Sequence, residues 1–301
     1  MAYLSYNDNF YSQLKIEFSP KLNASMFFRI LELVEFPLSP DENTVIKFAL
    51  TELVTNSIRA LHEINSSREI QIAFEINDNY LRFSIIDHAG GFDLARLPYS
   101  LEKSINKLNV LADDFQTYRK KHSFKRFGIG LISAKLVFDA FHLSFFDDHE
   151  NPAPWNGVGS VAGTKITAAK KIDPNYQEHA EIPFMRKTKR YSIFLKAKID
   201  MNNDAYLINI SESGAQFLVF KENGYKEGGR ISLEILSEHG NDKNMTCDAV
   251  IRWIDPGNKI VQLGSEFIIT PEFPKKDLEK FIKKIEQEPK LIPGLVVIEG
   301  V

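Results

Sequence analysis

Cysteine is nearly absent: Cys247 is the sole one in 301 residues. A lone thiol can form no disulfide within the chain and no thiolate zinc cluster, so packing must hold the fold, and a reducing compartment fits. Charge of one sign is also lacking. The 37 Lys and Arg against 40 Asp and Glu leave a net charge of -3. That excludes a broadly basic nucleic-acid surface and confines phosphate binding to local patches. No apolar run reaches the roughly 20 residues of a membrane helix; the apolar stretch "LIPGLVVIEGV" at 291–301 is far too short. The opening "MAYLSYNDNFYSQLKIEF" has no charged segment leading into an apolar one, so it does not read as a secretory leader. These absences lead us to expect a cytoplasmic protein with no nucleic-acid partner and no membrane insertion.

What is present is an ordinary globular composition, 44% hydrophobic and 26% charged, over a length that suggests two domains. The first half alternates. "QLKIEF" reads as a strand, 21–36 and 42–64 as helices, "EIQIAFEI" and "YLRFSIID" as strands joined at "NDN". "GIGLISAKLVFDAF" reads as a helix, then "HLSFFD" and "GTKITAAK" as strands, an α/β sandwich pattern. Composition shifts at 171–185, "KIDPNYQEHAEIPFM", which we read as a linker. Six short strands follow: "YSIFLKAKI", "AYLINI", "AQFLVF", "GRISLEIL", "TCDAVIRWI" and "IVQLGSEFI". Turn residues separate them, as in a small antiparallel β-barrel. The period of two through Met245, Cys247, Ala249, Ile251 and Trp253 places all five on one face, with Trp253 and Cys247 in the core. A helix is expected at 275–287. The expected domains are therefore 1–170, a linker 171–185, a barrel with its helix at 186–287, and an apolar tail 288–301.

Several short stretches stand out from this background. "TELVTNSIRA" lies on an amphipathic helix formed by Phe48, Leu50, Leu53, Val54, Ile58 and Leu61, yet carries Glu52 and Asn56 one turn apart on a single face. "IIDHAGGFD" ends a strand on Asp87 and turns through small residues. "FGIGL", with Gly128, Gly130 and Leu131, opens a helix whose free N–H groups suit a phosphate, and Arg119, Lys120, Lys121, Lys125 and Arg126 lead into it. Gly163 and Thr164 precede a late strand. Each occurs alone on ordinary protein surfaces. It is their order and spacing together that carry weight.

In that order, the stretches resemble the GHKL ATPases, the family of histidine kinases, gyrase, Hsp90 and MutL. The likeness covers residues 10–170 and implies a Bergerat-type ATP-binding fold. Glu52-x-x-x-Asn56 is similar to its N box, Asp87 to Gly91 to its first glycine box, Gly128 to Leu131 to its second, and Gly163-Thr164 to its last. The resemblance implies that Asn56 holds Mg²⁺, that Asp87 accepts from the adenine amino group with Thr164 beside it, and that Gly91 lets the base approach. It further implies that Gly128, Gly130, Lys125 and Arg126 enclose the phosphates and that Glu52 is the general base. The middle glycine of the first box is replaced by Ala89, with Gly90 following. The compact form, which leaves no room ahead of the domain for a histidine-bearing helix pair, most resembles the anti-sigma-factor serine kinases. That likeness implies a sigma factor or an anti-anti-sigma (STAS-type) protein as partner, and allows a homodimer.

In the second half, "RKTKRY" places Arg186 and Arg190 four apart, and "NISESG" places Asn209, Ser211 and Gly214 at the end of a strand. Arginine forks suit phosphate oxygens and the O6/N7 edge of guanine. A solvated basic linker and an ordinary turn would look the same one at a time. Together they resemble the R-x-x-x-R and D/N-x-S-x-x-G signature of the PilZ domain over 184–285, which implies a receptor for cyclic di-GMP. Lys187 and Lys189 add positive charge. The expected protein is thus a cyclic di-GMP-responsive, Mg-ATP-dependent serine/threonine kinase of anti-sigma type. The alternatives are a non-catalytic ATP-binding protein that sequesters a partner, and an adaptor whose barrel controls motility or envelope machinery.

Overall fold

The computed structural model describes residues 3–6, 9–92, 94, 97, 117, 130–155, 161–173, 189–201, 203–220, 224–236, 244–255, 260–271, 273–287 and 296–299. The chain divides into two units, 1–178 with 293–301, and 179–292.

In the first unit the expected strands and helices form a sheet carrying a helical layer. β1 (Leu4–Tyr6), β2 (Asn9–Tyr11) and β4 (Val34–Glu35) make a small separate sheet in the order β2-β1-β4. The main sheet contains β3 (Gln13–Phe18), β5 (Ile70–Asn77), β6 (Tyr80–Asp87), β7 (Ala140–Phe146) and β8 (Gly163–Lys171). Its sixth member, β15 (Val296–Glu299), comes from the far end of the sequence, and the order is β15-β3-β5-β6-β8-β7 with antiparallel pairs throughout. The segment 288–301, expected as an apolar tail, thus supplies an edge strand, with Val297 opposite Ile16.

Register lines apolar residues into rows across this sheet. Ile16, Ile72, Ile85, Ile166 and Leu143 form one, and Leu14, Phe74, Phe83, Ala168 and Phe141 the next. Phe36 meets Phe74 and Phe83 edge-on, with centroids 5.4 and 5.5 Å away.

Against the sheet lies α2 (Pro40–Glu63), which also packs on α1 (Ala24–Glu32) and α3 (Gly130–Val137). The start of α2 is strongly specified. Ser39 and Glu42 form a capping box, and Pro40 occupies the first turn, where its missing N–H is not needed. Asn43 is buried and ties down the incoming chain. Its amide nitrogen donates to the carbonyls of Phe36 and Leu38 at 3.0 and 2.8 Å, and its oxygen accepts from the Phe36 N–H at 3.0 Å. The six expected apolar residues of α2 are buried. However, the helix is covered all round from Ile46 to Val54, Lys47, Thr51 and Glu52 included, so it is a central element rather than an amphipathic one.

The second unit is a closed six-stranded antiparallel barrel: β9 (Tyr191–Ile199), β10 (Asn203–Ile210), β11 (Gly214–Phe220), β12 (Arg230–Ile235), β13 (Met245–Asp255) and β14 (Ile260–Phe267). α4 (Lys275–Gln287) adds Leu278, Ile282 and Ile285 to the barrel core from one helical face. Among the described residues no helix is long and apolar enough to cross a membrane.

Candidate functional site

In the first unit, the residues picked out from the sequence come together in two neighbouring groups. The first is built on α2 and the start of α3. Gly130 sits directly over the Glu52/Asn56 pair: a Cβ on it would lie 3.0 Å from both Asn56 Nδ2 and Glu52 Oε2. Glu52 is 5% exposed, and its Oε1 is buried with no hydrogen-bond partner. A buried carboxylate oxygen without a donor is costly, and it marks a place where an incoming donor would be favoured. Asn56 is half-buried, and its Oδ1 accepts from Arg59 Nη1 at 3.3 Å. Leu131 is buried one residue into α3.

The second group surrounds Asp87 at the end of β6. Asp87 lies opposite Thr164 in the sheet register and is buried. Its Oδ2 accepts from Ser57 Oγ at 2.6 Å and its Oδ1 from the Ala89 N–H at 3.1 Å. Burial pushes its carboxyl above the ordinary range, against the lowering effect of Ser57 and Ala89. Ser57 is a residue the sequence reading missed. Its position directly after Asn56, on the face that α2 turns toward β6, is the only signal it carried. Beside Ala89, Gly90 takes the left-handed conformation, φ +75°, and its carbonyl accepts from Thr164 Oγ1 at 3.2 Å. The space over Gly91 holds the Trp155 indole; a Cβ there would come within 2.6 Å of Trp155 Cε3. At Gly163 a Cβ would meet the Asp87 carbonyl oxygen at 2.0 Å, so that glycine is required by the β6–β8 pairing itself. Lys125, Arg126 and Gly128, with the rest of the basic run, lie outside the described residues.

In the second unit two β-bulges shape the outer wall of the barrel. Strict alternation along β10 would turn Leu207 and Asn209 inward together. Instead the register shifts between them, so Leu207 and Ile210 enter the core and Asn209 faces out. A second shift between Ile251 and Trp253 brings Ile254 to the core and turns Trp253 outward, where its indole lies across Gly264. This corrects the expectation that Trp253 is a core residue. Cys247 does pack on the core, and burial, reinforced by Asp248, pushes its thiol up to about 12.

Both re-aimed residues fall on one row of paired positions: Ser192, Asn209, Gln216, Gly264 and Trp253. Asn209 Nδ2 donates to Gln216 Oε1, whose Nε2 donates to Gln262 Oε1 at 2.8 Å. Asn209 Oδ1 is buried and has no hydrogen-bond partner. Ser211 and Gly214 make the turn that follows. Ser211 Oγ accepts from the Gly214 N–H at 3.2 Å, and the Ser211 N–H donates to the Gly214 carbonyl at 2.8 Å. A Cβ on Gly214 would stand 2.1 Å from the Ser265 carbonyl oxygen, so this glycine serves the close approach of β14. Arg190 is exposed, immediately before β9, whose Ser192 pairs with Asn209. Arg186 lies outside the described residues.

Residues 185–284 match the PilZ domain family. The N-terminal region is similar to the serine-protein kinase RsbW of Oceanobacillus iheyensis, 32% identical over 68 residues, which is 21% of this chain and 43% of the kinase. The chain thus spans less than half the length of that relative. Among solved structures, the inhibitor of motility from Bacillus subtilis is similar at 13% identity over 73% of this chain and 76% of its own, with a TM-score of 0.30. The PilZ domain of YcgR from Escherichia coli, solved with c-di-GMP, is 22% identical over 35% of this chain and 94% of its own, with a TM-score of 0.29. The family match takes in every strand of the barrel, and with them Arg186, Arg190, Asn209, Ser211 and Gly214: residues 185–284 are a PilZ domain.

Proposed function

We propose that this protein is a cyclic di-GMP receptor whose second unit regulates a nucleotide-binding first unit. The observation that carries the receptor reading is the row on the outer barrel wall. Asn209 is turned out by a bulge, keeps a buried oxygen without a donor, and stands beside the strand that Arg190 introduces. A guanine offers N–H donors for that oxygen, and an arginine offers its fork to phosphate or to the guanine edge. Titration of cyclic di-GMP into the full chain tests this. Saturable binding is expected, weakened at least tenfold by Arg190→Ala and by Asn209→Ala; unaltered affinity in both variants would remove the site assignment.

For the first unit, the reading is a serine/threonine kinase of the anti-sigma type acting on an anti-anti-sigma-like partner. It is supported by the convergence of Glu52, Asn56 and Gly130, and by the similarity to a serine-protein kinase. The residues fit Mg-ATP. Glu52 carries a buried carboxylate oxygen that lacks a donor, Asn56 carries a hard amide oxygen that Arg59 holds while its amide nitrogen faces Gly130, and Gly130 has no side chain over the pair. When bound, the metal would neutralise charge on the phosphates. Asn56 would hold it after leaving Arg59. Glu52 would take the proton of the partner's hydroxyl, and Asp87, kept in place by Ser57, would accept from the base. Glu52→Gln is expected to abolish phosphoryl transfer while leaving nucleotide binding in place.

A second reading keeps ATP binding without catalysis, the first unit sequestering its partner. It is favoured by the Trp155 indole over Gly91 and by the Asn56–Arg59 bond, which occupy two of the expected ligand contacts. Nucleotide-dependent capture of a partner that survives Glu52→Gln, with no phosphoryl transfer by the unaltered protein, would establish it.

A further inference from the structure

The basic motif at the start of the second unit already engages an anion of the protein's own. Glu286 lies in the last turn of α4 and is exposed. Its Oε1 accepts from Lys189 Nζ at 3.2 Å and from the Tyr191 hydroxyl at 2.5 Å. The Lys189 ammonium stands 4.7 Å from the centre of the Tyr191 ring, so the three side chains form one cluster. Lys189 belongs to the basic motif, one residue before Arg190. Tyr191 opens β9 opposite Ile210, next to the Ser192–Asn209 pair. A helix nearly a hundred residues away in sequence therefore places a carboxylate on the basic motif, one residue from the Ser192–Asn209 pair and on the core-facing Ile210 side of β9.

An exposed ion pair of this kind contributes little to folding, so stability is a poor account of it. Its chemistry is more telling. A carboxylate and a phosphodiester are both oxyanions that draw on the same N–H and O–H donors. The Tyr191 hydroxyl and then Lys189 hold the Glu286 carboxyl below its usual range, which keeps it ionised. We infer that Glu286 is a built-in competitor for the ligand: it occupies the donors of Lys189 and Tyr191 until a ligand phosphate displaces it. The inference rests on the receptor reading above.

Displacement also has a mechanical result. Glu286 ties the last turn of α4 to the first residue of β9. Nine residues beyond Gln287 the chain reaches Val296, the start of β15 in the first unit's sheet. A ligand that takes Lys189 and Tyr191 away from Glu286 would loosen only the last turn of α4, since Leu278, Ile282 and Ile285 stay in the barrel core.

The test is calorimetric titration of cyclic di-GMP into the full chain in four forms: unaltered, Glu286→Gln, Lys189→Met, and both together. Glu286→Gln removes the charge and keeps the shape; Glu286→Ala serves as a second variant. Tighter binding, about three- to fivefold, is expected for Glu286→Gln, the scale on which an exposed charge pair competes. The gain should vanish in the Lys189→Met background, where the donor being contested is gone. Binding by the unaltered protein with no gain in either Glu286 variant would overturn the competitor alone. A gain that persists in the Lys189→Met background would also overturn it, since that would be general relief of negative charge. Failure of the unaltered protein to bind would overturn the receptor reading, and this inference with it.

Discussion

Gly214 belongs to the motif that points to cyclic di-GMP, yet its surroundings argue that its role is to let two strands meet. Consider Gly214→Ala. The new Cβ would stand 2.1 Å from the Ser265 carbonyl oxygen, more than an ångström short of the 3.4 Å at which ordinary contact begins, and 3.2 Å from Glu266 Cα. Both neighbours are backbone atoms of β14, paired with β11 along its whole length, so neither can swing aside as a side-chain tip would. Overpacking of this sort costs about 1–3 kcal/mol, and backbone on backbone belongs at the top of that range. At roughly 4–8 °C per kcal/mol for a domain of this size, the barrel transition should fall by about 10–20 °C. Gly224→Ala is the control. Gly224 has φ +60° with nothing within 4 Å of its would-be Cβ, so the cost is conformational only, about 1 kcal/mol. The assay is differential scanning calorimetry of the full chain without ligand, followed by titration well below the lowered transition. A Gly214→Ala barrel melting within about 2 °C of the unaltered one, a shift equivalent to a few tenths of a kcal/mol, would refute the packing argument. It would also leave a ligand contact as the reason for the glycine.

The remaining predictions concern both units. Gly130→Ala presses on the Asn56 and Glu52 side chains rather than on backbone, so nucleotide affinity should drop with a melting temperature nearly unchanged, as read by titration and calorimetry side by side. Asn43→Ala removes the buried bonds to Phe36 and Leu38 and should cost about 3 kcal/mol in urea unfolding of the first unit. Asp87 has its carboxyl raised by burial. The stability it contributes is therefore present below the ordinary carboxylate pKa and lost as pH rises through the raised one. Asp87→Asn should accordingly gain on the unaltered protein in thermal shift as pH goes from about 4 to 7, and a variant that loses ground to the unaltered protein over that range would contradict the burial. Cys247, with its thiol pushed up to about 12, should resist alkylation at pH 8 in the native protein and react promptly in denaturant, by mass spectrometry.

Most of the element pattern was legible because it rests on local periodicity. The alternation in β5, β6 and β12 and the i, i+4, i+7 spacing of Leu278, Ile282 and Ile285 specify their structures almost alone. The candidate residues Glu52, Asn56, Asp87 and Thr164 were legible through motif order. What escaped was whatever depends on register between distant strands. A bulge adds one residue to one strand without any required residue type, so strict alternation misplaced Trp253 and could not show why Asn209 faces outward. Ser57 was missed because a small hydroxyl on a helix has no signature until the strand end beside it is known. Glu286 was missed for a similar reason: its partners lie 95 and 97 residues away. The apolar stretch near residue 296 follows a Pro293-Gly294 turn signal, but four residues are too few to tell a strand from a tail, and its partner β3 lies near the opposite end of the sequence.

That last pairing bears on the way the molecule is made. The ribosome releases β3 ahead of all six barrel strands but β15 only after them. Until then the outer edge of β3 presents open N–H and C=O groups, a template on which a neighbouring nascent chain could pair. The first unit is begun before the second and finished after it. Its completion therefore reports that the barrel has been synthesised, and a chain that stalls in the second half leaves its first sheet one strand short.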